Sequence, residues 1–193
     1  TKIIVDIKNI LDKFKINQLY GLLVHDVRDL VSENGQEIYR SLINLKKKNL
    51  VKYIGVSIYD PKEYFNLIKY FDFDIVQAPF NVFDRRIISE GLLDSASKLN
   101  INVHVRSIFL QGLLIDRNIP KNFTKWSTKF NAWFTWLDKN NISPLEACLN
   151  FALNQSSIEK VLVGVQSKNQ ITEILRSINK KKFDIPNFEI NNN

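Results

Sequence analysis

Polar residues follow five apolar stretches of this sequence, each at the point where a predicted strand ends. They are His25, Ser57, Gln77, Arg106 with Ser107, and Ser167 three residues after Gly164. An amide such as Gln77, followed by a turn and a helical pattern, is typical of the loops that form active sites on α/β folds. Each residue alone could instead be a strand cap that bonds the local backbone. Because the loops after the strands of a barrel converge at one mouth, five such positions favour a common pocket.

The last of these positions has the chemistry of a phosphate site. Gly164 would let a phosphate approach the backbone, and Ser167 and Gln170 are suited to cap a helix whose first N–H groups can bind an anion. Lys168 lies in the first turn of that helix, against the preference of the helix dipole, and a nearby anion would account for it. An ordinary solvated lysine is the alternative. His25 is likewise either a functional group at a strand end or a structural hydrogen-bonding residue.

Short apolar runs predict the strands, and amphipathic patterns between them predict the helices. The strands are expected at Leu19–Val24, Tyr53–Val56, the run from Phe73 to Gln77, Ile101–Val105 and Lys160–Val163. The helices are expected over Ile3–Phe14, Gln36–Lys48, from Asp60, Ser89–Leu99, Phe123–Asp138, from Ser143 and from Ser167. The segment from Ile108 to Asn122 predicts a long irregular loop.

This alternation of strands and helices favours a parallel sheet with helices on its outer face. Two architectures remain open, a doubly wound sheet and a (β/α)8 barrel. No Gly-x-Gly-x-x-Gly pattern follows any predicted strand, which counts against a Rossmann dinucleotide site. We expect one domain over residues 1–193, with a ragged tail over residues 184–193.

The overall composition indicates a globular protein with an excess of positive charge. The formal net charge of +7 suggests anions among the partners. The lysine runs at Lys46–Lys48 and Lys180–Lys182 fall where helices should end, and we interpret them as solvated helix ends rather than a nucleic-acid patch. The single cysteine, Cys148, excludes an internal disulfide and has no metal-ligand spacing. No apolar run is long enough for a membrane span, so we expect a cytoplasmic protein that binds neither membrane nor nucleic acid.

Five stretches together resemble the C-terminal part of the aldo/keto reductase family, which are (β/α)8 barrel enzymes that use NADPH or NADH. They are LYGLLVHD, LKKKNLVKYIGVSIYDPKEY, FDIVQAPFNVFDRR, HVRSIFLQGLL and VLVGVQSKNQITEIL. Their specificity lies in the ordered set, which covers most of the chain from Leu19 onward. RSIFLQGLL also resembles a bacterial branch associated with sugar or cell-surface polysaccharide pathways.

The resemblance implies a role for each polar strand end. His25 matches the histidine that orients the substrate carbonyl, and Ser57 and Gln77 match the groups that hold the nicotinamide carboxamide. The loop around the pyrophosphate would include Ser107, Phe109, Gln111 and Gly112. The adenosine end would be held at Gly164, Ser167, Gln170 and Glu173. Arg106 replaces a frequent aromatic residue that stacks on the nicotinamide, and its guanidinium could stack or pair with a phosphate or an anionic substrate.

Other positions depart from the family pattern. Ile58 replaces a frequent asparagine at the carboxamide site, and Ile174 replaces another at the adenine end. The family's proton-donating tyrosine follows the second strand in an Asp-Thr-Ala … Tyr-Gly context, with a lysine ending the third strand, and neither context occurs in this sequence. We therefore expect an incomplete barrel, with about strands 4 to 8 and their helices present and the first three missing.

The sequence thus predicts part of an NAD(P)H-dependent aldo/keto reductase that transfers a hydride to an aldehyde or ketone, such as a sugar-derived carbonyl. NADP(H) is the expected cofactor, with NAD(H) left open, and the partner is a small-molecule carbonyl substrate. The chain would supply the cofactor-binding residues and His25, so the isolated chain should be inactive. The alternative is a non-catalytic barrel remnant that senses a nucleotide or binds a partner.

Overall fold

The computed structural model describes residues 2–178 and 181–190 and shows an α/β fold. Its five strands form one sheet in the order β1-β2-β3-β4-β5. The strands are β1 (Leu19–Val24), β2 (Val51–Ser57), β3 (Ile75–Pro79), β4 (Asn102–Arg106) and β5 (Ile158–Val161). The helices are α1 (Lys2–Phe14), α2 (Val27–Val31), α3 (Gly35–Lys47), α4 (Pro61–Leu67), α5 (Arg86–Ser89), α6 (Leu92–Lys98), α7 (Ser127–Asn140), α8 (Pro144–Leu153) and α9 (Lys168–Ser177).

The chain divides into two compact units. The first unit contains residues 1–78 and 90–103, and the second contains residues 79–89 and 104–193. The expectation of a single domain over the whole chain stays a prediction.

Parallel strand pairs form the centre of the first unit. Strand β1 pairs with β2, and β2 pairs with β3. Gly55 permits the second pairing, because a Cβ at this position would come within 2.2 Å of the carbonyl oxygen of Ile75. An ion pair fixes the opposite end of β3, where Lys46 Nζ lies 2.6 Å from the carboxylate of Asp74. The same carboxylate accepts a hydrogen bond from the backbone N–H of Ile54 at 2.9 Å.

An aromatic cluster forms the core of the second unit. It is built around Trp133, which is fully buried and donates its indole N–H to the carbonyl of Leu114 at 3.0 Å. Phe130 and Phe188 are also buried in this cluster. Residues 181–190 form no helix or strand, but the N–H of Ile190 bonds the carbonyl of Phe83 at 2.9 Å. Residues 191–193, the end of the expected ragged tail, lie outside the described residues.

The structure confirms the five expected strands and most of the helices, with shifted ends. The capping box that begins α4 at Asp60 and the N-cap of α8 at Ser143 are present. Helix α2 was not expected, and Gly91, with φ of 78°, interrupts the helix expected over Ser89–Leu99. Strand β3 continues to Pro79, two residues beyond Gln77. The proline lacks only its own N–H, and backbone hydrogen bonding resumes at the next residue, where the N–H of Phe80 bonds the carbonyl of Arg106 at 3.0 Å.

Exposed residues show where the expected patterns fail. The apolar face of α1 is only partly covered, since Phe14 is 66% exposed whereas Ile7 and Leu11 are buried. The lysine run at Lys46–Lys48 ends α3 as expected. Lys180 of the second run lies outside the described residues.

Among the described residues, no helix is both long enough and apolar enough to cross a membrane, and the cytoplasmic location stays a prediction.

Candidate functional site

Three of the expected site residues lie at or near the carboxyl ends of strands in the first unit. Ser57 ends β2, is buried, and is the register partner of Gln77 in β3. The carbonyl of Gln77 accepts the N–H of Ile58 at 2.9 Å. His25 follows β1 directly and is exposed. Parallel pairing therefore holds Ser57 and Gln77 side by side, with positions set by the ladder.

An ion pair lies immediately after His25. The Asp26 side chain is the N-cap of α2 and accepts the backbone N–H of Arg28 at 2.9 Å. It also accepts hydrogen bonds from Nε and Nη2 of the Arg28 guanidinium. The hydrogen bond from the Arg28 side chain, followed by that from its backbone N–H, lowers the pKa of Asp26 to about 2. This carboxylate is therefore ionised wherever the protein is folded near neutral pH.

The second unit contains a cavity of about 670 Å³. Seven of the residues expected to bind the cofactor line it: Ser107, Phe109, Gln111, Gly112, Gly164, Gln170 and Glu173. Apolar walls come from residues that include Ile108, Ile115, Leu162 and Ile174. The volume and the mixture of apolar walls with a few polar groups are typical of small-molecule sites.

Left-handed backbone shapes the loop on one side of this cavity. The φ angles are 61° at Ser107, 46° at Leu110, 54° at Gln111 and 92° at Gly112. Only Gly112 adopts such a conformation without steric cost. Side chains in this region of φ and ψ persist when the surrounding structure holds them, and they concentrate at functional sites. The loop after β4 is therefore a strained segment at the cavity wall.

The start of α9 lines the other side. The Oγ of Ser167 accepts the backbone N–H of Gln170 at 3.2 Å, and the Oε1 of Gln170 accepts the N–H of Gln166 at 2.6 Å. This confirms that both residues cap the helix, although Ser167 does not line the cavity. A Cβ built on Gly164 would meet no described heavy atom within 4 Å, so its backbone faces open space.

Arg106 is the remaining expected residue of the second unit. It is half-buried and donates through Nη1 to the Oγ of Ser107 at 3.4 Å, but it is not part of the cavity lining. The described residues contain no group of three or more His, Cys, Asp or Glu side chains that could hold a metal ion. The prediction that all five strand ends share one pocket stays a prediction.

Sequence reasoning missed part of the lining. Gln166 and Val165 lie in the cavity wall between Gly164 and Ser167, and Ile115 and Leu145 contribute from elsewhere. A signal for Val165 and Gln166 was present, because they lie between the predicted site residues Gly164 and Ser167. Leu145 gave no signal, because the apolar face of a helix has the same pattern against a core and against a ligand.

Comparisons with known proteins show which family the chain resembles. The family model of the aldo/keto reductase family matches residues 1–190. The chain is 22% identical over 185 residues to the oxidoreductase YqkF of Bacillus subtilis, an alignment that covers 89% of this chain and 57% of that protein.

Solved structures show the same fold. An aldo-keto reductase of Bacillus halodurans in its apo form aligns with a TM-score of 0.76 at 17% identity, over 92% of this chain and 62% of that one. The glycerol dehydrogenase of Gluconobacter oxydans aligns with a TM-score of 0.59 at 18% identity, over 94% of this chain and 66% of that one. The chain thus spans about three fifths of the length of these relatives. With the match over residues 1–190, these observations show that the chain belongs to the aldo/keto reductase family.

Proposed function

We propose that this chain provides the cofactor-binding part of an NAD(P)H-dependent reductase that transfers a hydride to an aldehyde or ketone. The observation that carries the proposal is the cavity of the second unit. Its lining gathers seven residues that the family resemblance assigns to a dinucleotide. The open backbone at Gly164 leaves room where a phosphate or ribose must approach, so the residues present fit such a cofactor.

Each residue has a distinct role in this proposal. The loop from Ser107 to Gly112 wraps the pyrophosphate, and Gly164, Gln170 and Glu173 hold the adenosine end, with Ser167 fixing the start of α9. The dinucleotide, when bound, supplies the hydride. We propose NADP(H) rather than NAD(H) as the cofactor. Arg106 would be a positive group that pairs with a phosphate or stacks on a ring.

The first unit would act on the nicotinamide and the substrate. Ser57 and Gln77 offer a hydroxyl and an amide that can bond a carboxamide. His25 would orient the substrate carbonyl. We further propose that β1 to β5 correspond to the last five strands of the family's barrel, since the chain aligns with about three fifths of each relative. A sugar-derived substrate is part of this proposal.

The decisive experiment replaces Gly164 by valine in the full-length protein. Because a Cβ at this position meets no described atom, the substitution should leave folding unchanged while placing a branched side chain where the cofactor approaches. We expect affinity for NADPH to fall by about tenfold or more, the worth of one lost charge-assisted hydrogen bond. Fluorescence titration of the wild type and the variant measures this. Equal affinities would remove the loop after β5 from the cofactor site.

A second experiment separates the reductase from a nucleotide sensor. We expect the 193-residue chain alone to give no turnover with NADPH and a panel of aldehydes, because the family's tyrosine and lysine contexts do not occur in it. Turnover by this chain that disappears in His25→Ala would show that the proton donor lies within it. Binding without turnover in the full-length protein would instead favour the sensor.

A further inference from the structure

Asn81 is a buried polar residue for which the cofactor site described above gives no role. It lies two residues after the end of β3 and is 2% exposed. A buried asparagine must find partners for its amide, since an unpaired polar group in the protein interior is costly. Both ends of the Asn81 amide are paired, and the two ends bond different parts of the second unit.

The oxygen of the Asn81 side chain closes a local turn. Its Oδ1 accepts the backbone N–H groups of Phe83 and Asp84, each at 2.9 Å. The backbone of the turn closes as well, with N–H to carbonyl distances of 3.0 and 3.1 Å between Asn81 and Asp84. Any side chain that keeps an acceptor at this position would preserve the turn.

The nitrogen of the side chain makes a long-range contact. Asn81 Nδ2 donates to the carbonyl oxygen of Ser107 at 3.2 Å. The same oxygen accepts the N–H of Leu110 at 2.9 Å. Ser107 is the first of the residues with left-handed backbone in the cavity wall, with φ of 61°. This conformation is sparsely populated for a serine, so it requires support from outside the loop.

We propose that Asn81 is a positioning residue that holds the Ser107 carbonyl and, through it, the backbone of the loop from Ser107 to Gly112. This loop lines the cavity, so Asn81 acts on the ligand without lining the cavity itself. The consequence for the cofactor rests on the proposed function, whereas the consequence for the loop does not. Losing the tether frees the loop to leave the left-handed conformation and lowers affinity for the ligand that it wraps.

The substitution Asn81→Asp separates the two ends of the amide. It keeps an acceptor for Phe83 and Asp84, but it replaces the donor by a carboxylate oxygen that repels the Ser107 carbonyl. We expect hydrogen exchange of the Leu110 amide to accelerate by about tenfold and NADPH affinity to fall by about fivefold or more, as for one lost hydrogen bond to a strained loop. The matched control is Asn154→Asp, which makes the same charge change and loses an Nδ2 bond to the carbonyl of Lys181.

Protonation provides a rescue that a merely structural role would not produce. Below the pKa of the new carboxyl, Asn81→Asp regains an O–H donor for the Ser107 carbonyl. Its affinity for NADP⁺, measured relative to Asn154→Asp, should therefore recover as the pH falls. Asn81→Ser, whose hydroxyl can close the turn but is too short for the contact with Ser107, should show the same loss without any recovery.

The readouts distinguish failure of this proposal from failure of the proposed function. If the wild type binds no NADPH but Leu110 exchange still accelerates in Asn81→Asp, the cofactor assignment fails and the tether stands. If exchange and affinity in both Asn81 variants match those of Asn154→Asp, the tether is overturned. Circular dichroism establishes that each variant is folded, and Asn81→Ser decides the question if Asn81→Asp is not.

Discussion

The two compact units hold their candidate site residues in different ways. In the first unit, Ser57 and Gln77 belong to paired strands, so the hydrogen-bond ladder sets their positions. In the second unit, most of the candidate residues lie on loops after β4 and β5, beyond the last ladder contact. Those loops depend on left-handed backbone, helix caps and side-chain tethers instead.

Because of this difference, binding can be changed without changing the fold in the second unit but not in the first. A substitution at the ladder of the first unit alters the sheet and the site together, because the same backbone serves both. A substitution at Gly164 changes the cavity wall at a position where an added Cβ meets no described heavy atom within 4 Å. Loops on a rigid scaffold carry function for this reason.

Replacing Gly55 by valine should abolish the fold of the first unit. The Cβ would lie 2.2 Å from the Ile75 carbonyl oxygen and 3.0 Å from its carbonyl carbon, so β2 and β3 could not pair as observed. A clash with backbone cannot be relieved by a side-chain rotation. Circular dichroism and thermal melting measure the loss, with Gly164→Ala as the matched glycine control. A cooperative melt of Gly55→Val near that of the wild type would show that the ladder is not what sets the site.

Replacing Trp133 by alanine should destabilise the second unit by about 3–5 kcal/mol, the usual cost of removing a buried aromatic side chain. Trp133 is fully buried and also satisfies the Leu114 carbonyl, which follows the strained loop. Urea denaturation gives the free energy of unfolding. Trp136→Ala, at a half-buried ring stacked 5.8 Å from Trp133, is the control and should cost less. Equal costs would mean that the aromatic cluster does not depend on its buried centre.

The same contrast explains which features the sequence predicted. Short apolar runs locate all five strands, and Ser167 and Gln170 are recognisable as caps of α9 because capping is a local interaction. Family resemblance supplied the loop residues that line the cavity. The contact from Asn81 to Ser107 joins residues 26 positions apart and has no periodic signature, so it could not be inferred from sequence.

Burial was also beyond local patterns. Phe14 lies on the apolar stripe of α1 and is nevertheless exposed, because an amphipathic pattern shows only that one face is apolar and does not show what covers it. In the second unit, Phe188 lies in a segment without regular structure, where no periodicity could mark it as buried. Helix α2 has only five residues, which is too short for a helical stripe to be recognised.

Replacing Ser167 by alanine should cost about 1 kcal/mol of stability, the typical value of an N-cap. The matched control is Ser143→Ala at α8, where the Oγ accepts the N–H of Glu146 at 3.1 Å. Both variants should lower the melting temperature, but Ser167→Ala should also weaken NADPH binding, because α9 places the polar side chains of Gln170 and Glu173 in the cavity wall, whereas α8 contributes the apolar Leu145. Titration and melting of both variants check this. Equal affinities in the two variants would separate the start of α9 from the cofactor.

The smallest expected effect concerns the carboxylate beside His25. The pKa of Asp26 is lowered from its ordinary value of 3.8 to about 2, first by the side-chain hydrogen bond from Arg28 and then by the Arg28 backbone N–H. Since the pKa of Asp26 is lower in the folded protein than in the unfolded chain, the unfolded state binds more protons between about pH 2 and pH 4. The stabilisation is therefore complete above about pH 4 and is lost as the pH falls through about 2.

Removing the guanidinium tests this assignment. In Arg28→Ala, the pKa of Asp26 should rise part of the way toward 3.8, because the backbone N–H of residue 28 remains as a donor. The control is Arg117→Ala in the second unit, which should raise the lowered pKa of Asp138 and leave Asp26 unchanged. Titration of the carboxyl carbons by NMR measures both groups. An Asp26 pKa that stays near 2 in Arg28→Ala would assign the shift to the helix cap alone, and the turn after His25 would then be fixed by backbone in the same way as the ladder beside it.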